Sequence, residues 1–324
     1  MSSDTDAPDL TRSGGIEKLR EGTYGGFFVA CAVISVLTTV AIFVTLLSDA
    51  VAFFAAVPYS EFLFATDWSP NTVGGRRIFG IVPLIFGTLM VTITAAFIAL
   101  PVGTLTAIYL SEYASTRVRS ILKPMLEVLA GIPTVVYGYF ALVYITPLLE
   151  ATLFPDISTF NALSASLMVG IMTIPMVSSI SEDAMSAVPD SLRQAGYGLG
   201  ATKYEVSTGI VVPASISGIA SSYILAVSRA IGETMIVVVA MGSQARMPVI
   251  QEGLLGLPYF NPADALLDTG MTVTVAMVQI AGSDLTGGSV AYDAMFALGL
   301  ALFVITLIMN ILSNIVSERY REAY

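Results

Sequence analysis

The sequence predicts an all-α polytopic membrane protein with six transmembrane helices. Hydrophobic residues make up 55% of the 324 and charged residues 12%, about half the charged share of a soluble domain. The mean hydropathy is +0.81. Six uncharged runs, 22–48, 78–111, 128–149, 157–181, 206–228 and 294–317, each hold at least 22 residues, and roughly 20 apolar residues suffice to cross a bilayer. A chain this apolar cannot cover itself with polar surface, which excludes a soluble monomer.

The residue types narrow the chemistry. Histidine is absent, which excludes imidazole metal sites, imidazole bases and a Ser-His-Asp arrangement within the chain. The single cysteine, Cys31, excludes an internal disulfide, a Cys-pair redox centre and a Cys-rich zinc site. Fourteen Lys plus Arg stand against 24 Asp plus Glu, so no nucleic-acid-binding surface is expected. Lysine occurs only as Lys18, Lys123 and Lys203, against eleven arginines. Acidic excess with scarce lysine suits a high-salt habitat, where carboxylates keep a protein hydrated.

Taken in order, residues 1–24 are polar and charged without periodicity and are expected to form a flexible cytoplasmic tail ahead of a membrane domain at 25–316. The first run is too long for the apolar part of a signal peptide. The second exceeds the bilayer and contains Pro83 and Pro101, so a kink or an interfacial start is expected. Glu127 opens the third run as an interface residue, and Gly131-Ile132-Pro133 is expected to bend it. Glu182 and Asp183 close the fourth, where contact with cytoplasmic water is expected. The fifth carries Arg229 and Glu233 and continues through 234–245. The uncharged segment 269–283 has only 15 residues, too few to cross. It is expected to lie at the interface or re-enter, although Thr272-Val273-Thr274-Val275 also reads as a strand. The sixth run leads into a tail at 317–324.

Basic residues orient the spans. One side would hold Arg12, Lys18, Arg20, Arg117, Arg119, Lys123, Arg193, Lys203, Arg319 and Arg321, ten in all; the other holds Arg76, Arg77 and Arg246, three. Both termini are therefore expected in the cytoplasm of a multi-pass plasma-membrane protein, with segment 183–212 inside and 246–290 outside. No segment is long enough for a soluble catalytic domain, and no GxxxxGK[ST] phosphate loop occurs. The chain is expected not to be an enzyme.

Segment 189–213 is the most informative. Pro189 and Asp190 suit a helix start, Gly196, Gly198 and Gly200 favour a turn, and a second helical piece follows from Thr202. A helical hairpin results. It reads either as a plain surface loop or as a docking element for another protein. Its spacing resembles the EAA motif of ABC importer permeases: Gln194, Ala195 and Gly196, then Gly200 after three residues, then Ile210, Val212 and Pro213 after nine more. Gln replaces the motif's Glu, Gly its second Ala and Val its Leu. Further stretches resemble the phosphate-specific ABC permeases, among them Phe86-Gly87-Thr88-Leu89, Ala107-Ile108-Tyr109-Leu110-Ser111-Glu112-Tyr113-Ala114, Gly131-Ile132-Pro133-Thr134 and Arg229-Ala230-Ile231-Gly232-Glu233-Thr234-Met235. Asp67-Trp68-Ser69-Pro70 looks more like the PstC type than its PstA-type partner.

The resemblance implies the type I ABC importer permease fold and a division of labour. A second permease subunit completes the channel. Two ATP-binding subunits hold ATP and Mg²⁺, so this chain carries no cofactor. An extracytoplasmic phosphate-binding protein delivers the anion. Gln194, Ala195, Gly196, Gly200, Tyr204, Ile210 and Pro213 would dock on the ATPase. The same architecture for sulfate, molybdate or tungstate, or the PstA-type role, are the alternatives; a channel and an intramembrane enzyme are the rival classes.

Arg229 and Glu233 stand four apart, on one face of a continuous helix. They read either as a self-neutralising lock between helices or, with Thr234, as lining of the anion path, since a guanidinium donates paired hydrogen bonds to oxyanions. Ala214, Gly218, Ser222, Ala226 and Ala230 form a small-residue stripe beside them, expected as a packing seam.

Overall fold

The structure, a computed structural model, describes residues 15–70, 77–248, 250–252, 258–283 and 287–319. Helix α1 (Gly15–Ala56) begins inside the expected 1–24 tail, correcting its C-terminal half. Glu17, Lys18, Leu19, Arg20 and Glu21 are good helix formers, and extending a nucleated helix costs little. The first 14 positions of that tail lie outside the described residues.

A short helix α2 (Tyr59–Phe64) and two antiparallel two-residue strands, β1 (Trp68–Ser69) and β2 (Ile78–Phe79), cap this end. Phe53 packs edge-on against Phe62 and Phe79 with centroids 5.5 and 5.3 Å apart. Helix α3 (Val82–Ile108) holds Pro83 in its first turn, where the missing N–H costs nothing, and Pro101 inside. It runs on through a π-helical turn, Tyr109–Tyr113.

Helix α4 (Thr116–Gly131) starts at a Ser115 cap and ends before Ile132-Pro133. Then come α5 (Thr134–Phe140), a π turn Ala141–Ile145, and α6 (Thr146–Thr152). The third span therefore begins at Thr134 rather than at 128. Pro133 forces Ile132 out of the helical region, to φ −68°, ψ 131°. Residues 128–131, with exposed Glu127, belong instead to the preceding helix.

Helix α7 (Ala162–Ser186) is the axis of the bundle. Its Asn161 cap accepts from Ser164 N at 2.7 Å and donates to Thr146 Oγ1 at 3.1 Å. A Cβ on Gly103 of α3 would lie 2.6 Å from Val177 Cβ, so α3 and α7 approach through a missing side chain. The hairpin follows as α8 (Asp190–Gly198) and α9 (Lys203–Val206), then a π turn Ser207–Val211 and α10 (Val212–Ala214).

Helix α11 (Ile216–Ile231) leaves this leg at 69°. It ends before Gly232, and a separate α12 (Met235–Ala240) begins after Thr234. The fifth span is thus bent at Ser215 and broken at 232–234, where a continuous helix was expected. Of the expected small-residue stripe, Gly218 and Ser222 close on α7, whereas Ala214 falls in α10, before the bend. A Cβ on Gly218 would sit 2.3 Å from Ala184 Cβ, and Ser222 and Ser181 hydroxyls meet at 2.9 Å.

Strands β3 (Ile250–Glu252) and β4 (Pro258–Phe260) pair antiparallel, followed by α13 (Pro262–Leu267). Helix α14 (Val273–Ala281) occupies the short segment. The strand alternative is corrected: the Thr272 hydroxyl accepts from Val275 N and starts a helix, and residues 271–276 are buried. Val273 N also donates to Thr88 Oγ1 of α3 at 3.1 Å. Helix α15 (Val290–Arg319) packs along α1 and runs past the expected tail boundary at 317. Residues 320–324 lie outside the described residues.

Among the described residues, five helical runs are long and apolar enough to cross a membrane, and the bent pair 203–231 supplies the sixth. The protein is a multi-pass membrane protein of six spans.

Candidate functional site

The hairpin is built by three local devices. At the end of α8 the chain forms a double-bonded helix stop: Ala201 N donates to Gly196 O at 3.2 Å and Gly200 N to Tyr197 O at 3.0 Å. That geometry needs a left-handed residue, and Gly200 has φ +84°. On the other side, Thr202 and Glu205 make a capping box. The backbone N–H and hydroxyl of Thr202 both donate to the exposed Glu205 carboxylate, at 2.7 and 2.8 Å. Between the legs, a Cβ on Gly196 would meet Ile210 Cδ1 at 2.7 Å and Val206 Cγ2 at 2.9 Å.

The outcome is a tip closed by its own hydrogen bonds, with apolar groups left open. Tyr197, Leu199 and Tyr204 are 44%, 91% and 67% exposed. Gln194, Ala195 and Pro213 are exposed as well, whereas Gly196 is buried and Ile210 half-buried. The motif residues thus divide into those that shape the hairpin, Gly196, Gly200 and Ile210, and those it presents, Gln194, Ala195, Tyr204 and Pro213.

Sequence reasoning missed the charges that hold this end together. Glu182, expected to face water, is fully buried. Its carboxylate accepts from Arg119 Nη2 and, at 2.7 Å, from Lys123 Nζ, both on α4. Asp183 stays exposed and pairs with Lys123 at 3.0 Å. Arg193 of α8 reaches Glu112 in the π turn after α3 at 3.1 Å. The available signal was position: Glu112 and Glu182 each stand at the end of an uncharged run, where a carboxylate must find a cation or water.

Arg229 and Glu233 do not pair. The helix carrying Arg229 stops at Ile231, so Glu233 leaves its face. Glu233 is buried at 8% exposure and its carboxylate accepts from Ile236 N at 3.2 Å, closing the start of α12. Its carbonyl accepts from the Thr274 hydroxyl at 3.0 Å. Thr234 is half-buried and its hydroxyl donates to Gly232 O at 3.2 Å. Arg229 is exposed, and its polar contact is Met172 Sδ at 3.9 Å. Among the described residues no carboxylate lies within ion-pair distance of it. Insertion of an arginine at the centre of a span costs about 3 kcal/mol. A guanidinium exposed at this depth without a counter-ion is therefore suited to a polar cavity or an anion.

Residues 99–322, from within α3 to the last helix, match the binding-protein-dependent transport system inner membrane component family. The chain belongs to this family. It is 32% identical to the probable ABC transporter permease protein YqgH of Bacillus subtilis, over 90% of this chain and 88% of that one. It is 31% identical to the phosphate transport system permease protein PstC of Mesorhizobium japonicum, over 77% and 75% of the two chains. A chain of the bacterial ABC transporter that imports the acidic polysaccharide alginate superimposes with a TM-score of 0.62 at 14% identity, covering 94% of this permease and all of that chain. The fold is that of a type I ABC importer permease. Within the permease, the family match contains the whole hairpin, the α4–α7 charge cluster and Arg229.

Proposed function

We infer that the chain is the PstC-type permease subunit of an ABC importer that carries inorganic phosphate across the plasma membrane into the cell. The observation that carries this reading is likeness to PstC over three quarters of both chains. In this reading a second permease subunit completes the path. Two ATP-binding subunits bind ATP and Mg²⁺ and hydrolyse the nucleotide, so the present chain is not itself the enzyme. An extracytoplasmic phosphate-binding protein supplies the anion.

The hairpin end faces the cytoplasm with both termini, and the strand-bearing end faces out. The exposed Gln194, Ala195, Tyr197, Leu199, Tyr204 and Pro213 dock on the ATPase, on a tip whose shape is set by Gly196, Gly200 and Ile210. Phosphate carries between one and two negative charges at neutral pH, and an unscreened anion in a low-dielectric passage is prohibitive. Arg229, exposed and with no carboxylate in ion-pair reach among the described residues, offers the paired donors such an anion needs. Glu233 and Thr234 shape the break in the span beside it.

The test is ATP-driven uptake in vesicles reconstituted with the partner subunits, offering radiolabelled phosphate and sulfate in turn. Uptake of phosphate that sulfate does not compete away is the expected result. Preferential uptake of sulfate would refute the substrate.

A further inference from the structure

Arg193 ties the hairpin to the bundle by hydrogen bonds, beside the apolar packing of Val206 and Val211 and Lys203 Nζ over the Tyr113 ring at 5.0 Å. Its side chain is 14% exposed and that of Glu112 5%. The guanidinium donates to Glu112 Oε1 from Nε at 3.3 Å and from Nη2 at 3.1 Å. It also donates to Met185 O at 2.7 Å, to Val188 O, and to Asp190 at 3.2 Å. Glu112 belongs to the π turn that closes the second span, and Met185 and Val188 mark the end of the fourth. One planar group thus joins the hairpin to two spans at once. A planar fork fixes direction as well as distance, and burial shields it from salt.

A second joint continues the line. Buried Glu182 on the fourth span accepts from Arg119 and Lys123 of α4, and α4 leads through Ile132-Pro133 into the third span.

We propose that Arg193, through Glu112, is a positioning residue for transport: it carries displacement of the hairpin into the second and fourth spans as one body, and Glu182 passes the motion to α4 and the third. This rests on the hairpin being the ATPase-docking element. The link acts on the ratio of phosphate moved to ATP hydrolysed rather than on hydrolysis itself.

The test uses the full importer in vesicles, isolated by a tag on the ATPase so that only assembled complex is measured. Glu112→Gln and Arg193→Gln should each assemble, hydrolyse ATP and move about fivefold less phosphate per ATP. The double variant should fall no further than the worse single variant, because both break one link. Arg193→Lys, which keeps a cation but loses the fork, should fall between. A wild-type ratio in either Gln variant, additive losses in the double variant, or loss of complex with an unchanged ratio would each overturn the proposal, the last assigning the link to folding alone; complete failure to assemble does the same.

A second measurement does not depend on the transported anion. Spin labels at Ser191 on α8 and Leu105 on α3 should keep one separation with and without ATP on the partner, and lose that constancy in Glu112→Gln. A separation that already changes with nucleotide in the otherwise native chain sinks the proposal. If the native complex hydrolyses ATP without moving phosphate, the substrate reading fails while this distance still decides the role of Arg193.

Discussion

Gly196 and Ile210 touch across the two legs of the hairpin, with no space for a Cβ between them. This contact gives a physical reason for a small residue at the third position of the motif and a branched one fourteen residues later. Gly196→Val should wedge the legs apart, at about 1–3 kcal/mol for overpacking. The variant should reach the membrane yet lose the ATPase on co-purification. Ile210→Ala combined with Gly196→Ala should retain more of it than Gly196→Val, since the volume lost at Ile210 makes room for the methyl and only Val206 Cγ2, 2.9 Å away, must give way.

Gly200 turns the chain with a left-handed backbone, φ +84°. A β-branched residue there costs about 1–2 kcal/mol, and asparagine tolerates the conformation better. Gly200→Val should weaken ATPase binding or uncouple hydrolysis from uptake, with Gly200→Asn closer to the native chain. Equal, normal coupling in both would remove the hairpin from the docking role.

Among the described residues Arg229 has no carboxylate partner, so neutralising it should not strand Glu233, whose carboxylate accepts from Ile236 N. Arg229→Gln is expected to abolish uptake while the assembled complex persists. Adding Glu233→Gln should restore nothing. Recovery of transport in the double variant would mean that the two charges lock each other in another conformation of the cycle.

Glu182 and Asp183 are neighbours with opposite fates. The Glu182 side chain is 1% exposed and accepts from two cations, whereas that of Asp183 is 67% exposed. Removing a buried acceptor of charged hydrogen bonds costs about 1.5–3 kcal/mol. An exposed pair contributes under about 1 kcal/mol. Glu182→Gln should therefore lower the Tm of the detergent-solubilised protein clearly, and Asp183→Asn hardly at all.

Orientation is tested by labelling single cysteines in a Cys31→Ser background. Thr116, Thr208 and Thr159 are exposed positions. Cysteines at Thr116 and Thr208 should react only from the cytoplasm, and one at Thr159 only from outside. Reaction of Thr116 from outside would invert the topology.

What the sequence determined by itself was whatever depends on local chemistry. Run length and charge set the number of spans. Proline-Asp at 189–190, glycine at 200 and the Thr202/Glu205 box set the hairpin, because caps and turns are satisfied within a few residues. The tertiary structure decided everything that depends on partners distant in the chain. Glu182 finds Lys123 and Arg119 at sequence separations of 59 and 63, so no local pattern reveals that it is buried. Pro133 ends α4 before Thr134, but that α4 then lies bonded to the fourth span through Arg119, Lys123 and Glu182 is decided by those distant pairings. The spacing of Arg229 and Glu233 promised a pair only for an unbroken helix. Gly232 ends that helix and Thr274 accommodates the break by bonding the freed Glu233 carbonyl. A helical repeat is a property of neighbours, but whether a helix continues depends on what else can take up its backbone groups.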